Sequence, residues 1–280
     1  DYTYTYADVD KDDKVLNLAT SSDIPTLDLS KATDQQSFQT ANTTMEGLTR
    51  IDEDGKVQPG VAESWETSED GLTWTFKLRK NSTWSNGTPV TAHDFEYSWK
   101  RTLTPETAAE YSYIMADIVG SSTKEIQENG VDGVGVKALD DYTLEVKLNR
   151  PVAYFAELVS FQVFFPQNQA FVESCGDAYG SAADKQLYNG PFTLTSWKME
   201  NQFTMEKNPN YWDAANVKLN KINTKVVKDT GAEVSLYEDG QIDRAILSSD
   251  YVDKYKDSKE FHTRDVASVF MLQVNGGNNK

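Results

Sequence analysis

The chain is poor in the residues that most often carry chemistry. Its 280 residues include one cysteine, Cys175, and two histidines, His93 and His262. A single thiol closes no internal disulfide, so cysteine usage leaves the compartment open. With no His or basic cluster beside it in sequence, Cys175 is expected to be an incidental thiol rather than a nucleophile. The histidines lie far apart and neither belongs to an HExxH or H-x3-H spacing, so both are expected at the surface, without a metal. A G-x-S-x-G elbow, a G-x-G-x-x-G fingerprint and a P-loop are all missing; Gly133-Val134-Gly135 stops short of the second. Basic residues are scarce as well, 27 against 44 acidic, for a net charge of -17 and a pI near 4.5. A surface that acidic repels phosphate backbones and anionic lipid, which argues against nucleic-acid binding and polybasic membrane docking. No apolar run approaches the ~20 residues of a membrane-spanning helix. A charged-then-apolar leader is missing too, so any signal segment is expected to have been removed or omitted. No internal repeat or low-complexity tract occurs.

What the chain has is aromatic residues: 6 Trp, 14 Tyr and 12 Phe. Hydrophobic content of 38% argues against disorder, and 280 residues suit roughly two domains. The densest stretch runs from Gly60 to Arg101. Leu72, Trp74, Phe76 and Leu78 alternate with Thr73, Thr75, Lys77 and Arg79, the period-2 pattern of a strand with one buried face. Asn86-Gly87 and Pro89 mark a turn. Thr91 and Asp94 then form a capping-box pair ahead of a helix that stacks Phe95, Trp99 and Leu103.

Elsewhere, Val15 to Thr20 reads as an opening strand. Ser37 to Leu48 reads as a helix with Phe38, Met45 and Leu48 as its apolar positions, and the DEDG of 52–55 as a hairpin turn. Tyr142, Leu144, Val146 and Leu148 mark a second alternating strand. Pro151 suits the first turn of a helix carrying Phe155, Leu158 and Val159. Residues 170–187 read as helix and then loop, and 121–135 as a polar stretch. Strands are expected over 192–199, 203–207, 222–227 and 242–246. A helix is expected over 230–239 with Gly240 as its C′ residue, and Ser249 is placed to cap another through Lys256. Asp8, Asp10 and Asp12 open like a calcium loop, but Asp13 stands where Gly is needed and Ala19 where Glu is needed, so a solvated acidic tail is expected. Most tryptophans fall at core positions, whereas Tyr111 and Tyr113 are not readily assigned to one.

Several segments together resemble the family 5 extracellular solute-binding proteins, the receptors of oligopeptide ABC importers. They are TLDLSKATD, MEGLTRIDEDGKVQPGVAESW, the stretch WETSEDGLTWTFKLRKNSTWSNGTPVTAHDFEYSWKR, GVKALDDYTLEVKLNRPVAYF, YNGPF and EKNPNYWD, in family order. The resemblance implies an α/β (mixed α+β) fold: a periplasmic-binding-protein-like type II lobe with an inserted α+β subdomain. Residues 1–48 and 189–270 would form the discontinuous first lobe, 49–188 the insertion, and 271–280 a crossing segment toward a C-terminal lobe outside this chain. It implies a non-enzymatic protein without cofactor or metal, which holds an extended oligopeptide between two hinged lobes through main-chain hydrogen bonds. Carried onto this chain, Thr33, Asp34, Gln35 and Gln36, and the segment Phe270, Met271, Leu272 and Gln273, should line the cleft from the first lobe, with Tyr111 approaching from the insertion. Expected partners are the peptide and the importer's permease subunits, the protein being a monomer. Its expected place is the extracellular face of the cell membrane, through a lipid anchor upstream of the sequence, or the periplasm. The alternatives are the same family with another ligand (dipeptide, nickel chelate, sugar or haem), or a shortened module that binds a partner and transports nothing. A secreted hydrolase would need a reactive dyad that the sequence does not place.

Overall fold

The computed structural model describes residues 14–263. Residues 14–245 form one compact unit; the described part of the second, 246–263, carries the helix Ser249–Tyr255. Its N-cap position falls at Ser248, one residue before the expected Ser249.

The first unit is organised around two four-stranded sheets. In one, β1 (Val15–Thr20) pairs in parallel with β10 (Lys221–Val226), which continues antiparallel through β9 (Gln202–Lys207) to β8 (Phe192–Lys198). Residues 242–246, expected as a strand, are not one. Asp243 instead satisfies the outer edge of β1: its N–H donates to the Asn17 carbonyl at 2.7 Å and its carboxylate accepts the Asn17 N–H at 2.7 Å. One backbone and one side-chain hydrogen bond from a single residue thus stand where a ladder would continue.

The other sheet runs β4 (Ala62–Thr67), β5 (Thr73–Leu78), β7 (Thr143–Lys147) and β6 (Val136–Asp140), all antiparallel. Its central strands are the two that alternate in the sequence, and Trp74, Phe76, Leu78, Leu144, Val146 and Leu148 are buried. Helix α2 (Ala92–Leu103) packs across β6 and β7 with Phe95 and Trp99 fully enclosed. Its capping box forms: Asp94 Oδ2 accepts the Thr91 N–H at 2.9 Å and also Trp84 Nε1–H at 3.0 Å. The turn before it closes on Gly87, at φ 86°, a conformation that favours glycine. Between the two sheets in sequence, β2 (Thr49–Ile51) and β3 (Val57–Pro59) make the hairpin read from DEDG.

Other elements shift from their sequence-based expectation. Helix α1 spans Gln35–Thr44: it starts earlier than 37 because Asp34 caps it and accepts the Ser37 N–H at 2.7 Å, and it ends before 48 because Met45 is already extended. The polar stretch contains α3 (Thr123–Asn129), capped by Ser122 with Glu125. Pro151 precedes a short helix, α4 (Phe155–Leu158), without belonging to it. Helix α5 covers Gln169–Cys175 and gives way to short 3-10 turns; α6 (Thr230–Glu238) is followed by Gly240 in the left-handed region, as expected. Asp8, Asp10 and Asp12 lie outside the described residues.

Candidate functional site

The first unit contains a cavity of about 1150 Å³, larger than the ~300–1,000 Å³ of most small-molecule pockets. One wall is the outer face of α1, where Gln35, Phe38, Gln39 and Asn42 recur at helical spacing. The opposite face of α1 buries Ser37, Thr40, Ala41 and Thr44, so the helix is held by its back and offers a polar front. A second wall comes from the 3-10 turn of Glu110–Met115. Tyr111 and Ile114 face the cavity, Met115 is buried, and Tyr113 is 66% exposed. Tyr111 donates its hydroxyl to the Thr33 carbonyl at 3.3 Å, tying the two walls together. Helix α4 and the residues after it add Leu158, Phe161 and Gln162.

The far end is built around Glu46, where three of the sequence segments converge. In NGPF, Asn189 pairs with the backbone of Glu46 in both directions, each bond 3.0 Å. Gly190 lies so close to the end of α1 that a Cβ there would meet Met45 N at 2.6 Å, which accounts for glycine at that position. In NPNYWD, Asn208 donates to the Gly190 carbonyl at 2.9 Å, the Tyr211 hydroxyl bonds to Glu46 Oε2, and Trp212 Nε1–H donates to Oε1 at 2.8 Å. Arg79 lies 3.4 Å and Arg50 5.4 Å from the Trp212 ring centroid, so two guanidinium groups flank the indole. Burial pushes the Glu46 carboxyl above the ordinary range, against the pull of Tyr211, Trp212 and both arginines. Burial, reinforced by the charge of Glu46, pushes the Tyr211 phenol up as well. Every polar atom of the Glu46 side chain is engaged, so this corner acts as a clasp.

The ionisable side chains on the cavity wall, tyrosines aside, are Glu46 and Glu157 against Arg50 and Lys218. The lining is therefore balanced in a chain of net charge -17 and makes no demand for a cationic ligand. Among the described residues, no group of three or more His, Cys, Asp or Glu could hold a metal, and no helix is long and apolar enough to cross a membrane. His93 is exposed, 3.2 Å from Asp141, and Cys175 is a free thiol.

A family-level comparison matches residues 56–280 to the bacterial extracellular solute-binding proteins, family 5 Middle. The chain belongs to this family. It is 38% identical over 249 residues to the oligopeptide-binding protein OppA of Bacillus subtilis, covering 87% of this chain and 46% of that protein. Among solved structures, the substrate-binding domain of an oligopeptide ABC transporter from Bacillus anthracis superposes with a TM-score of 0.87 at 47% identity, over 89% of this chain and 48% of that one. Listeria monocytogenes OppA bound to peptide does so with a TM-score of 0.86 at 42% identity, over 89% and 49%. The chain thus spans about half the length of the curated relatives it matches. The fold is that of these family 5 receptors, and the family is one of solute-binding proteins, not of enzymes.

Of the residues that the sequence nominated, Thr33, Gln35 and Tyr111 come together on the cavity wall. Asp34 is occupied as the cap of α1, and Gln36 accepts the Thr20 hydroxyl at 2.8 Å, so neither lines the cavity. Phe270, Met271, Leu272 and Gln273 lie outside the described residues. Phe38, Phe161 and Gln162 were not nominated. The spacing of Gln35, Phe38, Gln39 and Asn42 at i, i+3, i+4, i+7 was the available signal for the first of them; nothing local marks the other two.

Proposed function

We propose that this chain is part of the extracellular receptor of an ABC importer and that its cavity receives an oligopeptide in an extended conformation. The observation that carries the reading is a cavity of about 1150 Å³ whose walls bring Thr33 and Gln35 of one segment against Tyr111 of another. Its lining is uncharged or charge-balanced, as suits a ligand read by its main chain instead of by one fixed charge. The relative from Listeria monocytogenes is described as bound to peptide, at 42% identity. In this reading the sheet of β1, β8, β9 and β10 belongs to the first lobe, and the sheet of β4–β7 to the inserted subdomain. The protein is a monomer without cofactor, catalyses no reaction, and delivers its ligand to the permease subunits at the outer face of the cell membrane.

The test is native mass spectrometry of the purified protein with no ligand added, followed by denaturation and sequencing of what is released. Mixed peptides several residues long are the expected finding. A bare species at the chain mass of 31.4 kDa, unchanged when peptides are added, would overturn the reading.

A further inference from the structure

One stretch of the cavity wall combines two chemistries. Phe38, Tyr111 and Phe161 form a closed cluster of rings, with centroids 5.1 Å apart for Phe38–Phe161, 5.8 Å for Phe38–Tyr111 and 6.3 Å for Tyr111–Phe161. All three are only partly buried, so each keeps open surface on the cavity. Beside them stand the side-chain amides of Gln35, Gln39, Asn42 and Gln162. Gln162 is 6% exposed, and its Nε2 donates to Asn42 Oδ1 at 2.7 Å. Its Oε1 is buried with no hydrogen-bond partner. Such an oxygen is costly to leave unpaired. Among the described residues the other buried orphans are Ser37 Oγ, Trp74 Nε1, Ser82 Oγ and Ser121 Oγ, and none of those residues lines this cavity. None of the seven side chains carries a formal charge.

Resting on the peptide reading above, we infer that this wall is a subsite for one uncharged aromatic residue of the ligand. The Phe38, Tyr111 and Phe161 rings receive its side chain in the tilted or stacked geometries that aromatic pairs prefer. The more open amides of Gln35, Gln39 and Asn42, each both donor and acceptor, serve the neighbouring main-chain groups of the ligand. Main-chain contacts carry no side-chain preference, so the rings supply the selectivity.

Calorimetric titration of the 280-residue protein with tetra-alanine and with the four tetrapeptides carrying one Phe among Ala tests this. At least one Phe peptide should bind about tenfold more tightly than tetra-alanine, and Asp in place of that Phe should abolish the gain. Phe161→Ala should shrink the ratio to within about twofold, with Phe161→Leu as the substitute if the alanine variant unfolds. Equal binding of all the peptides by the unmodified protein, or a ratio that survives loss of the Phe161 ring in a folded variant, would overturn the aromatic subsite and leave peptide binding standing. Binding of no peptide would overturn the peptide reading, and this subsite with it.

Discussion

Two clusters of three aromatic rings in this molecule have similar spacing and end in opposite states. Around the second sheet, Trp74, Phe76 and Phe155 stand 5.4–6.3 Å apart, with Phe76 and Phe155 fully enclosed. Around the cavity, Phe38, Tyr111 and Phe161 stand 5.1–6.3 Å apart and none is enclosed. Ring spacing therefore does not separate a core from a site. The difference lies in the elements that carry the rings. In the first cluster, Trp74 and Phe76 lie on one face of the central strand β5 and Phe155 of α4 closes over them; in the second, Phe38 comes from a polar helix, Tyr111 from a 3-10 turn and Phe161 from the residue that leads into another. Regular ladders present rings side by side against a continuous apolar face, whereas short turns present them one at a time with a side left open.

The comparison breaks most visibly if the enclosed cluster proves expendable. Phe76→Ala should cost about 3–5 kcal/mol, since a fully buried ring leaves a cavity that its neighbours only partly fill. Chemical denaturation measures it, and a loss below about 1 kcal/mol would show that this cluster is no more closed than the other. A smaller effect is expected at the helix cap beside the same sheet. Burial pushes the Asp94 carboxyl up to about 6, although the Thr91 N–H and the Trp84 indole both donate to it. In the unfolded chain an aspartate titrates near ~3.9. Between those values the folded protein keeps a proton that the unfolded chain has lost. Stability therefore falls as pH rises from about 4 to about 6, by roughly 2–3 kcal/mol at most. Asp94→Asn retains the accepting oxygen and removes this dependence. Urea midpoints of the two proteins at pH 4 and pH 7 should shift against the unmodified protein at the higher pH; parallel behaviour would mean that Asp94 titrates as an exposed carboxylate does.

The same contrast explains what the sequence revealed. In the second sheet the central strands β5 and β7 were legible, because burial on one face writes alternation into Trp74, Phe76, Leu144 and Val146. The edge strands β4 and β6 escaped notice: most of their side chains are exposed, so burial writes little alternation into either. Helix α3 was hidden for a like reason, although Ser122 and Glu125 spelled its capping box. At the cavity, the segment resemblance led to Thr33, Gln35 and Tyr111, but it carried Asp34 and Gln36 along with them. Sequence distance does not tell a cap from a wall: Asp34 points back along its own helix, while its neighbour Gln35 points out. Glu46 was inside a quoted segment and still unremarked, because its partners Asn189, Tyr211 and Trp212 lie more than 140 positions away.

The smallest stability effect sharpens the comparison from the other side. Tyr111 is partly buried, and the hydrogen bond from its hydroxyl to the Thr33 carbonyl is long, at 3.3 Å. Tyr111→Ala should therefore cost less than about 1 kcal/mol, well under the cost at Phe76. Its effect should fall on ligand binding, with affinity for the tightest peptide of the tetrapeptide panel down about tenfold. Tyr111→Phe should restore binding, because the ring and not the hydroxyl faces the ligand. Thermal unfolding together with peptide titration separates the possibilities. A large loss of stability would make Tyr111 a core residue like Phe76. A stable variant with undiminished affinity would place the ligand elsewhere on the wall, toward Arg50 and Lys218.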